Sequence, residues 1–267
     1  MTSLFLPRKN NIKVGFTQSF GSGTTTAITL PVSATQSIPA ITILTLVRPT
    51  TIDSTSRYVY SLTDNAAQGG PRLIVVDTTG TKKWTFVNAI STTTGEAGEA
   101  GVALLNQWQF VACSQDGLNY PVGGSAKIYF AVPGTPLVDV TTPINWNWGT
   151  PLGGVGYPTT IGNRNGGSRE FKGDIAYVAR WNRVLSLQEL NRAKSLGPLS
   201  VPKGLIMLWA NGKDYGPYHL HPTSVTDVTK ASSSFTLLKT NSRLISISEE
   251  LIRSNKFLPF FMFDDFY

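Results

Sequence analysis

The sequence predicts an all-β fold, a sandwich or a barrel, and three observations support this prediction. Apolar runs are short and are separated by turn residues, among them 25 Gly and 16 Pro. Within most runs, apolar residues alternate with polar ones, as in a strand with one face in the core. Helix signals are few.

Eight runs have the pattern of strands. Ile41–Val47 is almost continuously apolar, which is typical of a strand buried on both faces. Phe171, Ile175, Tyr177, Ala179 and Trp181 alternate, so we expect all five on one face. The other runs contain Tyr58, Tyr60 and Leu62; Leu73–Val76; Trp84 and Phe86; Trp108, Phe110 and Ala112; Ile128, Phe130 and Val132; and Leu205–Trp209.

The clearest helix signal begins at Ser186. Ser186 and Glu189 have the spacing of a capping box, in which each side chain satisfies an amide of the other residue. Gly197 followed by Pro198 is a typical C-terminal stop. The pattern predicts a helix near 187–195, which is too short to be stable alone and must pack on the sheet.

The chain divides into an N-terminal arm (1–19), a sandwich (20–229) and an aromatic-rich tail (230–267). Exposing so much aromatic surface is unfavourable, so the tail either folds back onto the domain or docks on a partner. The candidate docking residues are Phe257, Phe260, Phe261, Phe263, Phe266 and Tyr267.

Composition excludes several classes of protein. The net charge is +7, but basic residues are scattered, so we expect no nucleic-acid partner. Cys113 is the only cysteine, which rules out an intrachain disulfide and favours a small buried residue. With neither an apolar leader nor a membrane-length apolar stretch, we expect synthesis in a cytoplasm without a signal peptide.

The stretch from Ile161 to Leu190 resembles the last block of the laminin-G-like, concanavalin-A-like lectin/glucanase superfamily. Order and spacing match at Ile161, Gly162, Phe171, Gly173, Ile175, Val178, Trp181, Arg183, Leu185, Ser186, Glu189 and Leu190. "AITILTLVRP", "NQWQFVACSQDG" and "GSAKIYFAVPG" are similar to earlier blocks, with Leu46 where an aromatic is usual and Phe110 in place of a histidine. The resemblance covers about residues 20–215.

This resemblance implies an antiparallel two-sheet jelly-roll sandwich of the concanavalin-A-like type. Members bind glycans or proteins, hydrolyse polysaccharides, or act as structural modules in surface and virion proteins, and the fold alone does not choose among these. The turn "GNRNGGSR" lacks the lysine of a phosphate loop, so we expect a hairpin whose glycines permit positive φ.

Catalytic carboxylates are not evident, and we expect no enzymatic activity. The E-x-D-x-x-E or E-x-D-x-E spacing of the glucanase members is missing, although hydrolysis needs a carboxylate pair. Glu96 and Glu99 lie in what reads as a flexible loop, which is poorly suited to hold such a pair. Asp174 is expected to form a surface pair with Lys172.

Metal signals are weak, and no cofactor is expected. His219 and His221 would share one face of a strand, but a third ligand could come only from Asp214 or Asp227. Calcium is common in the superfamily; Asp64, Asp77 and Asp116 are loop candidates, but no motif supports this.

Sugar binding needs aromatic platforms together with planar polar groups. Residues 143–169 offer such groups close together in sequence, although Trp146 or Trp148 could instead cover one end of the core. The candidates are Trp146, Trp148, Tyr157, Asn163, Arg164, Asn165 and Arg169.

Three functions remain open. The first is a non-enzymatic virion surface protein (a capsid decoration, fibre or tail component) that docks on other virion proteins through its tail within a homo- or hetero-oligomer. The second is a lectin-like module that contacts host or environmental glycans, which is compatible with the first. The third is a polysaccharide hydrolase or lyase.

Overall fold

The computed structural model describes residues 16–20, 26–31, 40–63, 69–90, 93–100, 102–116, 126–142, 158–164, 167–210, 212–226 and 228–232. They form sixteen strands, one α-helix, α1 (Leu187–Leu196), and a 3-10 turn (Pro198–Ser200). The strands are β1 (Phe16–Phe20), β2 (Ala27–Leu30), β3 (Ala40–Pro49), β4 (Arg57–Thr63), β5 (Gly69–Thr78), β6 (Thr81–Ile90), β7 (Thr93–Ala100), β8 (Gln109–Asp116), β9 (Lys127–Ala131), β10 (Val138–Asp139), β11 (Thr159–Ile161), β12 (Gly173–Trp181), β13 (Leu205–Ala210), β14 (Lys213–Asp214), β15 (Ser224–Thr226) and β16 (Val228–Ser232).

The strands build two antiparallel sheets, which confirms the predicted sandwich. One sheet has the order β10-β9-β8-β3-β12-β1-β16, with β13 and β14 continuing from β12. The other has the order β15-β2-β11-β4-β5-β6-β7. A large apolar core fills the space between the sheets and includes Ile43, Trp84, Phe86 and Trp209.

A second apolar cluster lies on the outer face of the nine-stranded sheet, under α1. Leu190 and Ala193 of the helix share this cluster with Leu44 and Phe110. β3 is therefore covered on both faces, as its continuous apolar run predicted.

The predicted start of the helix is confirmed. The Glu189 amide donates to Oγ of Ser186 at 3.2 Å, and the Ser186 amide donates to the Glu189 carboxylate at 3.0 Å. Arg183 donates to both oxygens of Glu189, at 2.9 and 2.7 Å. These bonds explain why Arg183, Ser186 and Glu189 occur together in the matched pattern.

Two β-bulges make the prediction that alternate residues of β12 and β4 share one face wrong. In β12, the register shifts between Ile175 and Tyr177, so Ile175 faces the inter-sheet core while Tyr177 faces the helix side. In β4, a shift between Tyr58 and Tyr60 puts Tyr58 on the outer face and Tyr60 inside. A bulge adds one residue to a strand, so every later side chain changes face.

The Gly-rich turn after Ile161 is not a hairpin, contrary to our expectation. β11 belongs to the seven-stranded sheet and β12 to the nine-stranded sheet, so the turn crosses between them. Gly162 has φ +80°, which agrees with the expected positive φ. The glycine therefore serves a crossover between the layers.

The loops leave the sandwich at two ends. The Asn163 end contains the end of β3 (Pro49), the start of β4 (Arg57) and the start of β12 (Gly173), joined by loop hydrogen bonds such as the Tyr58 amide to the Arg169 carbonyl. The Pro158 end contains Ala40, which pairs with Asp116, and Thr159, which pairs with Leu30.

The nine-stranded sheet extends slightly beyond the domain bounds drawn from sequence. β1 begins at Phe16 and pairs with β16, which ends at Ser232. Residues 16–19 and 230–232 are thus part of the sandwich. No helix within the described ranges is long and apolar enough to cross a membrane.

Candidate functional site

Asn163 is a buried residue that closes its own loop. Its side-chain oxygen accepts from the amides of Arg164 (2.8 Å) and Arg169 (3.1 Å), and its amide group donates to the Gly167 carbonyl at 3.1 Å. The residue is only 1% exposed. These contacts give Asn163 a role in holding the loop backbone.

Arg164 and Arg169 are half-buried beside Asn163. The Arg164 side chain lies over Gly167, where a Cβ would come within 2.3 Å of Arg164 Nε. That Nε is buried without a hydrogen-bond partner. Neither arginine forms an ion pair with a carboxylate of the described residues.

A buried ion-pair network connects this loop to the neighbouring β3–β4 connection. Arg57 contacts Glu170 at 2.9 Å and Asp53 at 2.6 Å, and the Arg57 and Glu170 side chains are 8% and 6% exposed. Hydrogen bonds from Arg57 hold the pKa of Asp53 below its usual value. The network ties the 163–170 loop to the connection between β3 and β4.

The segment that contains the aromatic candidates is anchored at the opposite end of the sandwich. Trp146, Trp148 and Tyr157 lie in residues 143–157, outside the described residues, as does Asn165. The ends of that segment are described: it leaves after Thr142, beside β10 and β9, and returns at Pro158, just before β11.

β11 lies between Pro158, where the undescribed segment ends, and the Asn163 loop. β11 has three extended residues, Thr159–Ile161, so at about 3.3 Å per residue it spans about 10 Å between Pro158 and the bend at Gly162. The structure therefore does not bring the polar candidates of the 163–170 loop to the point where the aromatic segment is anchored.

Arg180 is a residue that our sequence reasoning missed. It lies near the end of β12 among apolar residues and is 3% exposed. Its partners across β3 and β13 are Ile43 and Met207, both in the inter-sheet core. An arginine in an otherwise apolar strand, "IAYVARW", was the signal available in the sequence.

Tyr60 faces Arg180 from the other sheet. Burial raises the pKa of Tyr60, while the nearby Arg180 guanidinium and Thr159 act in the opposite direction. Neither the Tyr60 hydroxyl nor Arg180 Nε completes a hydrogen bond of good geometry. The interior at the Pro158 end thus contains a partly unsatisfied polar cluster.

Two expectations about carboxylates are wrong. Asp174 is buried and pairs with Arg48 at 2.5 Å, not with Lys172 on the surface; Arg48 lies opposite it on β3. Glu96 and Glu99 lie in β7 and not in a loop, since β7 pairs with β6 at the sheet edge. Glu96 is opposite Val87, and Glu99 is opposite Thr85.

The histidine site is not supported. His219 and His221 are exposed and outside any strand, and His219 has φ +44°, so the expected shared strand face is wrong. Both oxygens of Asp214 accept backbone amides, from Leu208, Gly216 and Leu220. Asp227 lies outside the described residues.

The calcium candidates are also separated. Asp77 accepts from the Gly80 amide in a turn at the Asn163 end, whereas Asp116 lies at the Pro158 end. Asp64 is outside the described residues. Across the ranges that are described, no three His, Cys, Asp or Glu residues are grouped to hold a metal ion.

Cys113 is buried, as expected, and burial raises the pKa of its thiol well above the usual value. The aromatic docking candidates at 257–267 lie in the tail beyond Ser232, outside the described residues.

Solved structures with a similar fold include a "putative carbohydrate binding protein" from Bacteroides ovatus, with 14% identity and a TM-score of 0.55. The match covers 84% of this chain but only 61% of that chain. A heptameric SAP-like pentraxin from Limulus polyphemus has 15% identity and a TM-score of 0.51. The match covers 84% of this chain and 97% of the pentraxin chain. At these identities the likeness shows the fold alone.

No curated protein sequence matches the chain. Residues 22–191 match the family model described as the concanavalin A-like lectin/glucanases superfamily. This match spans both sheets, the crossover at Gly162 and the start of α1. Because it takes in more than half of the chain, the protein belongs to the concanavalin A-like lectin/glucanases superfamily.

Proposed function

We propose that this protein is a non-enzymatic, lectin-like module that binds carbohydrate at the Pro158 end of its sandwich. The observation that carries the proposal is the insertion point of residues 143–157. This aromatic- and glycine-rich segment runs from the edge of one sheet, at β10, to the middle of the other, at β11. A ligand held there would contact both layers.

The chemistry of the segment suits a sugar. Trp146, Trp148 and Tyr157 can offer flat apolar faces to the CH groups of a pyranose ring. The fold likeness to the Bacteroides protein is consistent with such a role, although a fold does not define a ligand. By contrast, Asn163 already uses its amide group within its own loop.

A glycan array tests the proposal. The wild type should bind a defined set of saccharides, and the Trp146→Ala/Trp148→Ala double variant should lose that binding while keeping its thermal unfolding midpoint. Arg164→Ala/Arg169→Ala is the matched control at the Asn163 end and should bind as the wild type does. A wild type that binds no glycan would count against the proposal.

Display on a virion is a second candidate, compatible with the first. Among the described strands, β16 is the outermost of its sheet, and the chain leaves it after Ser232. A tail leaving from a sheet edge can reach a neighbouring protein without disturbing either layer. We propose that residues 233–267 dock on other virion proteins, with the sandwich facing outward as a capsid decoration, fibre or tail component.

A hydrolase or lyase remains the third candidate, because Glu96 and Glu99 are on a strand. Incubating the protein with polysaccharides and assaying reducing ends and unsaturated products should give no turnover. Activity that disappears in Glu96→Gln or Glu99→Gln would overturn the non-enzymatic proposal.

A further inference from the structure

The Arg180 guanidinium is an unusual group to keep inside a β-sandwich. The residue is 3% exposed, and its neighbours across β3 and β13 are the apolar Ile43 and Met207. Among the described carboxylates, none lies within ion-pair distance of it. Its charge is therefore not balanced by a described acidic residue.

A buried guanidinium without a counter-charge lowers the stability of the fold. Moving a charge from water into the interior is costly unless a counter-charge and hydrogen bonds compensate for it. Arg180 Nε is buried without a hydrogen-bond partner, and so is the facing Tyr60 hydroxyl. A methionine of similar length would fill the same space without this cost.

The position of Arg180 matters as much as its burial. It is the last inward-facing residue before β12 ends at Trp181, so it lies near the Pro158 end and not at the centre of the core. Thr159, the first residue of β11, lies in the same sheet as Tyr60, whereas Arg180 lies in the opposite sheet. Both act to lower the pKa of the Tyr60 hydroxyl. Three polar side chains thus converge where the aromatic segment is anchored.

We propose that Arg180 recognises the carboxylate of an acidic saccharide, such as a uronic acid, that reaches between the sheets at the Pro158 end. The inference rests on the proposed function and specifies its ligand class. A guanidinium presents parallel N–H donors that match the two oxygens of a carboxylate. The bound carboxylate would supply the missing counter-charge beside the Tyr60 hydroxyl.

Calorimetric titration of the full chain tests this with a matched pair of probes, an oligogalacturonate and its methyl ester, in which a methyl group replaces the charge of each carboxylate. The wild type should prefer the acid about tenfold or more, the effect of one charge-assisted contact. A sulfated galactan fragment tells carboxylate from sulfate recognition, and tighter binding of the sulfate would contradict the proposal.

Arg180→Met is the decisive variant. It should lose the preference for the acid yet retain binding of the methyl ester, and its thermal unfolding midpoint without ligand should equal or exceed that of the wild type. A destabilised Arg180→Met that still prefers the acid would show that the arginine is structural.

Titration of the wild-type protein with the two probes also tests the role of Arg180, independently of how the variant behaves. Equal binding of the acid and the ester overturns the role of Arg180 but leaves the proposed function intact. Binding of neither probe, together with no binding on the array, contradicts the proposed function, and this inference then falls with it.

Discussion

Gly173 is fixed by the backbone of the neighbouring strand. It has φ +148°, and a Cβ built on it would lie 2.2 Å from the Arg48 carbonyl oxygen and 2.9 Å from Pro49 Cα. Backbone atoms cannot move aside as the end of a flexible side chain can. This contact explains the glycine in the pattern F-x-G that begins β12.

Gly173→Ala should therefore lower the free energy of unfolding by about 3 kcal/mol or more, through the clash and the strained φ. Gly80 is a matched control, because it also has a positive φ, +85°, but has no atom within 4 Å of an added Cβ. Gly80→Ala should cost only about 1 kcal/mol. Urea unfolding measures both, and equal losses would contradict this explanation.

The sequence was least informative about the contacts of individual residues with neighbouring strands. The sequence pattern could not identify Arg48 as the partner of Asp174, because that depends on which strand lies beside β12. Arg180 was overlooked for a related reason: its burial follows from two sheets and not from its own strand.

The elements themselves were well predicted where the signal is local. A capping box depends on residues three apart in sequence, and α1 begins where it predicted. The faces of β4 and β12 were partly wrong, since a bulge depends on the register with neighbouring strands. The turn at Gly162 was mistaken for a hairpin because sequence does not show that β11 and β12 belong to different sheets.

The start of α1 should respond to pH through Glu189. Hydrogen bonds from Arg183 and the Ser186 amide lower the pKa of Glu189 to about 2. A carboxylate with a depressed pKa stabilises the fold above its unfolded pKa, about 4.3, and this stability is lost as pH falls through the folded value.

Glu189→Gln keeps the capping geometry but removes the charge. At pH 7 it should be less stable than the wild type by about 1 kcal/mol or less, because the pair is partly exposed. Thermal melts should show this difference shrinking between about pH 5 and pH 2, the window set by the two pKa values. A difference that is constant across this range would show that the charge contributes nothing.

At the scale of the whole molecule, the described sandwich begins at β1 and ends at β16. Removing residues 233–267 leaves every described strand intact, whereas a cut at residue 231 would remove the end of β16. The sandwich should therefore still fold without the tail. A large fall in its unfolding midpoint would instead indicate that the tail packs on the domain.

If the tail is a virion anchor, the same truncated chain should fail to enter particles. Co-expression with the particle proteins, followed by sedimentation, measures this. Continued incorporation of the truncated chain would contradict the anchor.

The sequence could predict which residues are candidates for the site but not how they are arranged in space. Sequence proximity grouped the aromatic residues of 143–157 with Asn163, Arg164 and Arg169, but β11 lies between the end of that segment and the Asn163 loop. The distance between two loops depends on strand direction, which a list of nearby residues does not contain.

The most direct test of the central claim is an amide NMR titration of the isotope-labelled protein with a saccharide selected on the array. We expect the largest shift changes at the Pro158 end, around Leu30, Asp116, Thr159 and Trp181. Gly167 and Arg169 at the Asn163 end should remain unchanged. Shifts confined to the Asn163 end, or no shifts at all, would contradict carbohydrate binding at the Pro158 end.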